Sequence, residues 1–450
     1  MVKFLLPIAL LVAGVCQAGE PAARHVVVIT IDGLPAYLLN DTQVSMPVIR
    51  GLIKTGAVAE AGMRVSNPSV TWPNHTTLMT GVHPERHGVL FNGLPERQGV
   101  GSPVRVTPEN GQKELVRGPL LFDTLKEAGK TSAAINWPCT SGSTSLVDNF
   151  PDVPNALRYT NAQLKDELAK KGLLQRFEGG GGVVRDEIWT EAACQVIRER
   201  KPNLLALHLL NLDSTHHRHG PRTPAGYTAV ALIDSLVGRV LGALDDAGIR
   251  DQTAVIIVSD HGFAAVTKTL RPNAVLRREG LLKVEKGRIT SARVHVVPEG
   301  GIGMVYITDP EKAAQDRETV RRLFQGAEGV AAVLGPEDFA RYHLPQPGDH
   351  PGMADMIIAA KDGYAVGGAV TGDDLVAPNA NAATTGAHGY LSTEPKMNAF
   401  FVASGAGVKA GVKLDAIDNT DVAPTAARLL GVPLSDVSGR VLTEILQSRD

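Results

Sequence analysis

The sequence predicts an α/β fold: an open, mostly parallel central sheet flanked by helices, with a small inserted subdomain. Three observations carry that expectation. Four segments are continuous apolar runs rather than alternating ones, "HVVVITID" at 25–32, "TSAAIN" at 131–136, "NLLALHLLNLD" at 203–213 and "TAVIIVSD" at 253–260. Such runs are expected of strands buried on both faces of a parallel sheet. Between them lie segments whose apolar residues recur every three or four positions, the helical period. The composition is that of a globular chain, with 43% apolar and 20% charged residues among 450, which excludes disorder and fibrous folds.

Taken in order, residues 1–18, "MVKFLLPIALLVAGVCQA", join one Lys, an apolar run and small residues before Gly19. This is the pattern of a secretory signal peptide ending at Ala18. The run falls short of the roughly 20 apolar residues that span a bilayer. A lipoprotein signal at Cys16 is the alternative, disfavoured by the bulk of Val15. The chain is therefore expected to be exported, periplasmic or secreted. No stable membrane insertion is expected after signal removal, since no second apolar stretch reads as long enough to span. Export leaves Cys139 and Cys194, which an oxidising compartment permits to pair but which make no disulfide framework.

"HVVVITID" then reads as a strand, "LLFDTLKEAGK" (120–130) as a helix and "TSAAIN" as a strand. "DEIWTEAACQVIRERK" (186–201) is helical before the strand "NLLALHLLNLD", and "AGYTAVALIDSLVGRVLGALDDAGI" (225–249) is helical before "TAVIIVSD". The run Gly179 to Gly182 lacks phosphate-loop spacing and reads as a mobile connection. From Phe263 to Gly367 the pattern changes, mixing short β-like pieces such as "GMVYIT" with the helical "PEKAAQDRETVRRLFQG". Residues 19–450 are read as one domain with an insertion or subdomain around 263–367. A formal net charge of −2 without a long basic run gives no footprint for a nucleic-acid polymer. A small phosphorylated substrate stays open if a metal supplies the positive charge.

Ligands of open α/β sheets sit beyond the carboxyl ends of the strands, and three of the four runs end in acidic residues: Asp32, Asp213 and Asp260. Alone, each is as well explained as a cap or turn former. Asp260 and His261 stand side by side before Gly262, a pairing that suits zinc or a similar divalent ion. His217 follows Asp213 by four residues, which places both on one face if the segment is helical. His388 lies in the Gly-flanked "TTGAHGY". Three carboxylates and three imidazoles divide naturally into two three-ligand sites with open positions for a reacting oxygen. Thr71, before "WPNHTTLMTG", is the candidate nucleophile, because a helix N-terminus favours an alkoxide; the bland alternative is a helix cap. Asn92 in "LFNG" is placed to donate its amide to a phosphoryl oxygen, or else is a turn residue before Gly93.

The ordered set "IDG", "TWPNH…TG.HPE.HG", "N", "D…H", "SDHG" and "HGY" resembles the nucleotide pyrophosphatase/phosphodiesterase family of the alkaline phosphatase superfamily, through most of the chain after the signal. "TDVAPTAARLLGVP" near the C-terminus resembles a helix common in that superfamily. The resemblance implies an alkaline-phosphatase-like catalytic domain over 19–450 with two Zn2+, other divalent metals being admissible. Asp32, Thr71, Asp260 and His261 would hold one ion, and Asp213, His217 and His388 the other. Thr71 would attack phosphorus and form a phosphothreonine intermediate, with Asn92 and the Trp72 backbone N–H on the non-bridging oxygens. Trp72 stands where the family places an aromatic beside the nucleotide base, its alternative being a residue closing over the core. His216 and His219 match no ligand position and are expected to face solvent or stand behind the ligands. His75, His83 and His87 are expected to make structural hydrogen bonds. The expected activity is a two-zinc phosphodiesterase or nucleotide pyrophosphatase acting on a small phosphodiester or nucleotide substrate. The alternative is a phosphomonoesterase or phosphonate hydrolase on the same scaffold. Because "INWPCTSGS" lacks the basic residue that superfamily phosphomonoesterases bring to a dianionic phosphate, the diester is favoured.

Overall fold

Every one of the four apolar runs becomes a strand buried on both faces. A computed structural model describes residues 22–379 and 384–448; the expected signal peptide, with Cys16, lies outside the described residues. The principal elements begin with β1 (His25–Ile31), α1 (Pro47–Thr55), β2 (Gly56–Ala59), α2 (Thr71–Thr80), α3 (Leu121–Glu127), β3 (Ser132–Ile135) and β4 (Asp148–Phe150). Then come α4 (Gly182–Arg200), β5 (Leu204–Leu209), α5 (Asn211–His219), α6 (Pro224–Asp246) and β6 (Thr253–Val258). Beyond lie β7 (Ala264–Leu270), β8 (Val294–Pro298), β9 (Ile302–Ile307), α7 (Ala313–Phe324), β10 (Val330–Leu334) and β11 (Met356–Ala360). The chain closes with β12 (Thr385–Ala387), β13 (Phe401–Gly405), β14 (Val412–Leu414) and α8 (Val422–Leu429).

The central sheet has eight strands in the order β14-β2-β13-β6-β1-β5-β3-β4. All neighbours are parallel except β13, which runs antiparallel to β2 and β6. Successive side chains of β1 point to opposite layers. Val27, Ile29 and Ile31 join Trp189 and Ile197 of α4 and Ile233, Val237 and Val240 of α6. Val26 and Val28 join Leu78 and Met79 of α2 and Val422, Ala426 and Leu429 of α8. Each such Val, Leu or Ile contributes about 1.5–3 kcal/mol by leaving water. The register sets Thr30 beside His208 on one side and Val258 on the other. The carboxyl ends of the three central strands are therefore level, and Asp32, the start of α5 and Asp260 emerge together.

Three expectations change here. Asp213 does not end a strand: β5 stops at Leu209, and Asp213 sits in the first turn of α5. A second segment does reach spanning length, since α6 has 23 residues and a mean hydropathy of 1.5; Asp234 and Arg239 interrupt its apolar sequence. In this fold half of its most apolar stretch is buried, packed on the sheet and α4. The glycine run is a short connection, with Gly179 closing a helix at Leu173–Gly179 and Gly182 opening α4.

Within the stretch where the sequence pattern changes, β8 to β11 form a separate antiparallel sheet in the order β8-β9-β11-β10. Its Ile302, Met304 and Tyr306 pack on Leu90 and Phe91 and so hold the segment that carries Asn92. Cys139 and Cys194 are both free and buried in different clusters.

Candidate active site

Asp32 leaves β1 fully buried. Its Oδ2 lies 3.0 Å from His208 Nε2, while its Oδ1 accepts no hydrogen bond. Asp260 uses Oδ1 to accept the Gly33 and His261 backbone N–H groups, each at 3.1 Å, and its Oδ2 is likewise unpaired. The His261 ring settles what the free oxygens face. Its Nδ1 lies 3.1 Å from the Gly262 carbonyl, which only accepts, so Nδ1 carries the proton and Nε2 presents a lone pair. That lone pair is 3.3 Å from both Asp32 Oδ1 and Asp260 Oδ2. Three electron-rich atoms converge on one point.

A second convergence lies alongside. Asp213 and His217 share a face of α5, and Asp213 Oδ1 is 3.2 Å from His217 Nε2 and 3.6 Å from His388 Nε2. Both rings donate Nδ1–H to backbone carbonyls, His217 to Gly386 at 3.2 Å and His388 to Ser69 at 3.0 Å. Again both Nε2 atoms point at a carboxylate oxygen. His388 arrives here through the antiparallel pairing of β7 with β12, Ala264 opposite Ala387, and its ring stacks on His261 at 3.7 Å. Phe263 packs against His217, His261 and His388. Gly262 serves close packing rather than a turn: a Cβ there would stand 1.9 Å from the Lys396 carbonyl oxygen.

The electrostatics follow from burial. It pushes Asp32 well above the usual carboxylate range, with Asp260 and Asp213 adding to the effect, and pushes Asp260 up to about 7. Burial drives His261 down to about 4 and His388 well below its ordinary value. Burial also raises Asp213, but the adjacent imidazoles, His217 first, outweigh it and hold that carboxyl low. Burial lowers His217, and Asp213 more than reverses this. Among the described residues, no Lys or Arg forms an ion pair with the three carboxylates, whose ion-pair contacts are imidazoles alone. Two triads result, Asp32 with Asp260 and His261, and Asp213 with His217 and His388, the ligand atoms of each within 4.8 Å of one another. Buried carboxylate oxygens converging with imidazole nitrogens are the donor sets that divalent cations take. The residues present fit such ions.

Thr71 is the first residue of α2 and does not cap it. The N-cap position is Val70, without a side-chain bond, and the Thr71 hydroxyl makes no hydrogen bond among the described residues. The Thr71 carbonyl accepts His75 Nδ1–H at 2.9 Å, and Thr30 Oγ1 lies 2.8 Å from His75 Nε2. His75 thus ties the start of α2 to β1, as a structural histidine should. Asn92 accepts the Trp72 backbone N–H on Oδ1 at 2.8 Å. Because that partner is a donor, the oxygen is fixed toward it and the exposed amide N–H groups point away. This bears on both expectations for Trp72. Its N–H is occupied by Asn92, and the residue is only 6% exposed, its ring packed with Val89, Leu115 and Cys139 and anchored by Nε1–H on Asp152 at 2.9 Å. Trp72 is a wall residue rather than an open platform.

His216 is buried against Phe263 with Nδ1 on the Gly33 carbonyl, while His219 is exposed. His208 escaped the sequence reading; its only signal was a polar residue inside the otherwise apolar run of β5.

A family model described as type I phosphodiesterase / nucleotide pyrophosphatase matches residues 26–391. The chain is 26% identical over 273 residues to human ectonucleotide pyrophosphatase/phosphodiesterase family member 1, covering 60% of this chain and 27% of that protein. The first relatives of this kind are thus matched over about a quarter of their length. Mouse bis(5'-adenosyl)-triphosphatase enpp4 is 21% identical, with 92% of this chain and 79% of the relative covered. Human ectonucleotide pyrophosphatase / phosphodiesterase 5 superposes with a TM-score of 0.72 at 19% identity, covering 94% of this chain and all of that one. The fold is alkaline-phosphatase-like.

Proposed function

The chain belongs to the type I phosphodiesterase / nucleotide pyrophosphatase family, and from that premise we propose that it is a metal-dependent phosphodiesterase working through a phosphothreonine intermediate. Asp32, Thr71, Asp260 and His261 would hold one divalent ion, and Asp213, His217 and His388 a second, zinc being the ion that suits carboxylate and imidazole donors. When bound, two such ions supply the positive charge that draws in an anionic diester and steadies the charge that builds at phosphorus. The observation that carries the reading is the pair of triads with unpaired carboxylate oxygens and imidazole lone pairs, near a helix start whose Thr71 hydroxyl has no structural duty.

Thr71 Oγ1 attacks phosphorus, its O–P bond forming as the bond to the leaving alcohol breaks. Water then cleaves the phosphothreonine, releasing the monoester and restoring the hydroxyl. The α2 N-terminus favours negative charge on Thr71, and Asn92 donates its amide to a non-bridging oxygen. A singly charged diester is the preferred substrate, because residues 135–143 carry no Lys or Arg where Trp137 touches His75 and Cys139 touches Trp72. A murine relative in complex with AMP and one named bis(5'-adenosyl)-triphosphatase support a small nucleotide or similar diester. The leader-like residues 1–18 support export to the periplasm or medium, with 19–450 as the catalytic domain and 263–367 as its insertion.

The test is a side-by-side assay of zinc-loaded and chelated protein on bis(p-nitrophenyl) phosphate and p-nitrophenyl phosphate. Zinc-dependent preference for the diester is expected. Preference for the monoester moves the chain to the phosphatase reading, and turnover indifferent to chelation removes the metal reading.

A further inference from the structure

The helix α5 carries Asp213 and His217, so its placement sets where their ligand atoms stand. Its own sequence provides no cap: the preceding residue is Leu210, without a side-chain bond to the first turn. The first N–H groups of a buried helix need partners, and here they come from α4. Asp186 is fully buried. It accepts the Leu210 N–H on Oδ1 at 2.8 Å and the Asn211 N–H on Oδ2 at 3.0 Å. It makes no ion pair among the described residues. Both oxygens are spent on one backbone corner, as charge-assisted bonds. One turn earlier, Gly182 seats against the same corner, where a Cβ would stand 2.8 Å from Asn211 Oδ1.

We propose that the 182–186 turn of α4 is a cap supplied to α5 from another helix, and that Asp186 is a positioning residue for the Asp213, His217 and His388 triad. By holding the N–H groups of the N-cap Leu210 and of Asn211, the first residue of α5, it keeps Asp213 Oδ1 facing His217 Nε2 and, across the gap to β12, His388 Nε2. The inference rests on reading that triad as a metal site. It also explains the glycine run, since any side chain at Gly182 intrudes on Asn211.

The test is made on the full chain by stepwise zinc competition against a chelator, with His217→Ala and Asp260→Asn as references that identify each site. Asp186→Asn keeps the shape and one acceptor but turns an amide N–H toward a backbone N–H. Burial pushes the Asp186 carboxyl up to about 7, so a neutral Asn removes a buried charge and the variant is expected to fold. Its affinity at the Asp213 site is expected to fall about 10- to 100-fold, the range for residues that orient metal ligands. Affinity at the Asp32 site stays within about threefold. Should Asp186→Asn fail to fold, Gly182→Ala carries the same test with a smaller displacement. Unchanged affinity at both sites overturns the inference, as does an equal fall at both, which marks a purely structural role. A wild-type chain that takes up fewer than two ions overturns the two-site reading itself; two ions in the wild type with an unaltered variant overturns only the role of Asp186.

Discussion

Replacing His208 by Phe isolates the support of the first triad. The imidazole is fully buried with its Nε2 3.0 Å from Asp32 Oδ2, leaving Oδ1 directed at His261. Phe has a similar volume, so His208→Phe opens little cavity but leaves Asp32 Oδ2 buried without its hydrogen-bond partner. A hydrogen bond to a charged group contributes about 1.5–3 kcal/mol, and about 1.4 kcal/mol is a factor of ten. Zinc affinity at the Asp32, Asp260 and His261 site is therefore expected to weaken about 10- to 150-fold. Affinity at the second site stays near wild type, and turnover of bis(p-nitrophenyl) phosphate recovers at saturating zinc. Chelator competition gives the two affinities, and activity against free zinc gives the recovery. A folded variant whose first site binds within threefold of wild type refutes the idea that His208 orients Asp32. Lost turnover with both ions bound refutes it too, by showing that His208 acts on the chemistry.

Thr71→Ala is expected to lower kcat by about 10^3-fold or more, as removal of a nucleophile does, with zinc content largely kept; full turnover sinks the nucleophile assignment. Asn92→Ala removes one donor to the phosphoryl oxygens and is expected to cost about 10^2- to 10^3-fold in kcat, while an unchanged kcat with only KM raised would give Asn92 a ground-state role. His87 offers a pH test outside the site. Its Nδ1 accepts the Val89 N–H and its Nε2 meets Thr77 Oγ1, and burial lowers it from 6.5 to about 3. The unfolded chain takes up this proton below pH 6.5 and the folded chain does not, so the contribution of neutral His87 is present above 6.5 and lost as pH falls. The urea-stability gap between wild type and His87→Gln should narrow by about 1.4 kcal/mol per pH unit from pH 6 to 4; a constant gap contradicts the assignment.

The residues themselves announced much of the site. Short segments such as "SDHG" and "TDVAP" have local patterns, and a carboxylate at the end of a buried run or a pair spaced by four needs no tertiary knowledge to be noticed. Continuous apolar runs likewise announced the parallel sheet, because burial on both faces leaves no room for polar alternation.

What sequence could not show lies in contacts between elements. Thr30 beside His208 is a matter of strand register, and that register turns a lone polar residue in β5 into the support of Asp32. Asp186 stood in an ordinary helical pattern, and only the docking of α4 on the start of α5 spends both its oxygens on Leu210 and Asn211. The resemblance offered Trp72 as an aromatic beside the base, yet Val89, Leu115 and Cys139, distant in sequence, enclose it. Sequence alone determined most of the elements and the six candidate ligand residues, since period and residue chemistry are local. Tertiary structure decided which oxygen stays unpaired, which ring nitrogen keeps its lone pair and which side chain is walled in, because hydrogen bonds and burial are settled by whatever packs from elsewhere in the chain.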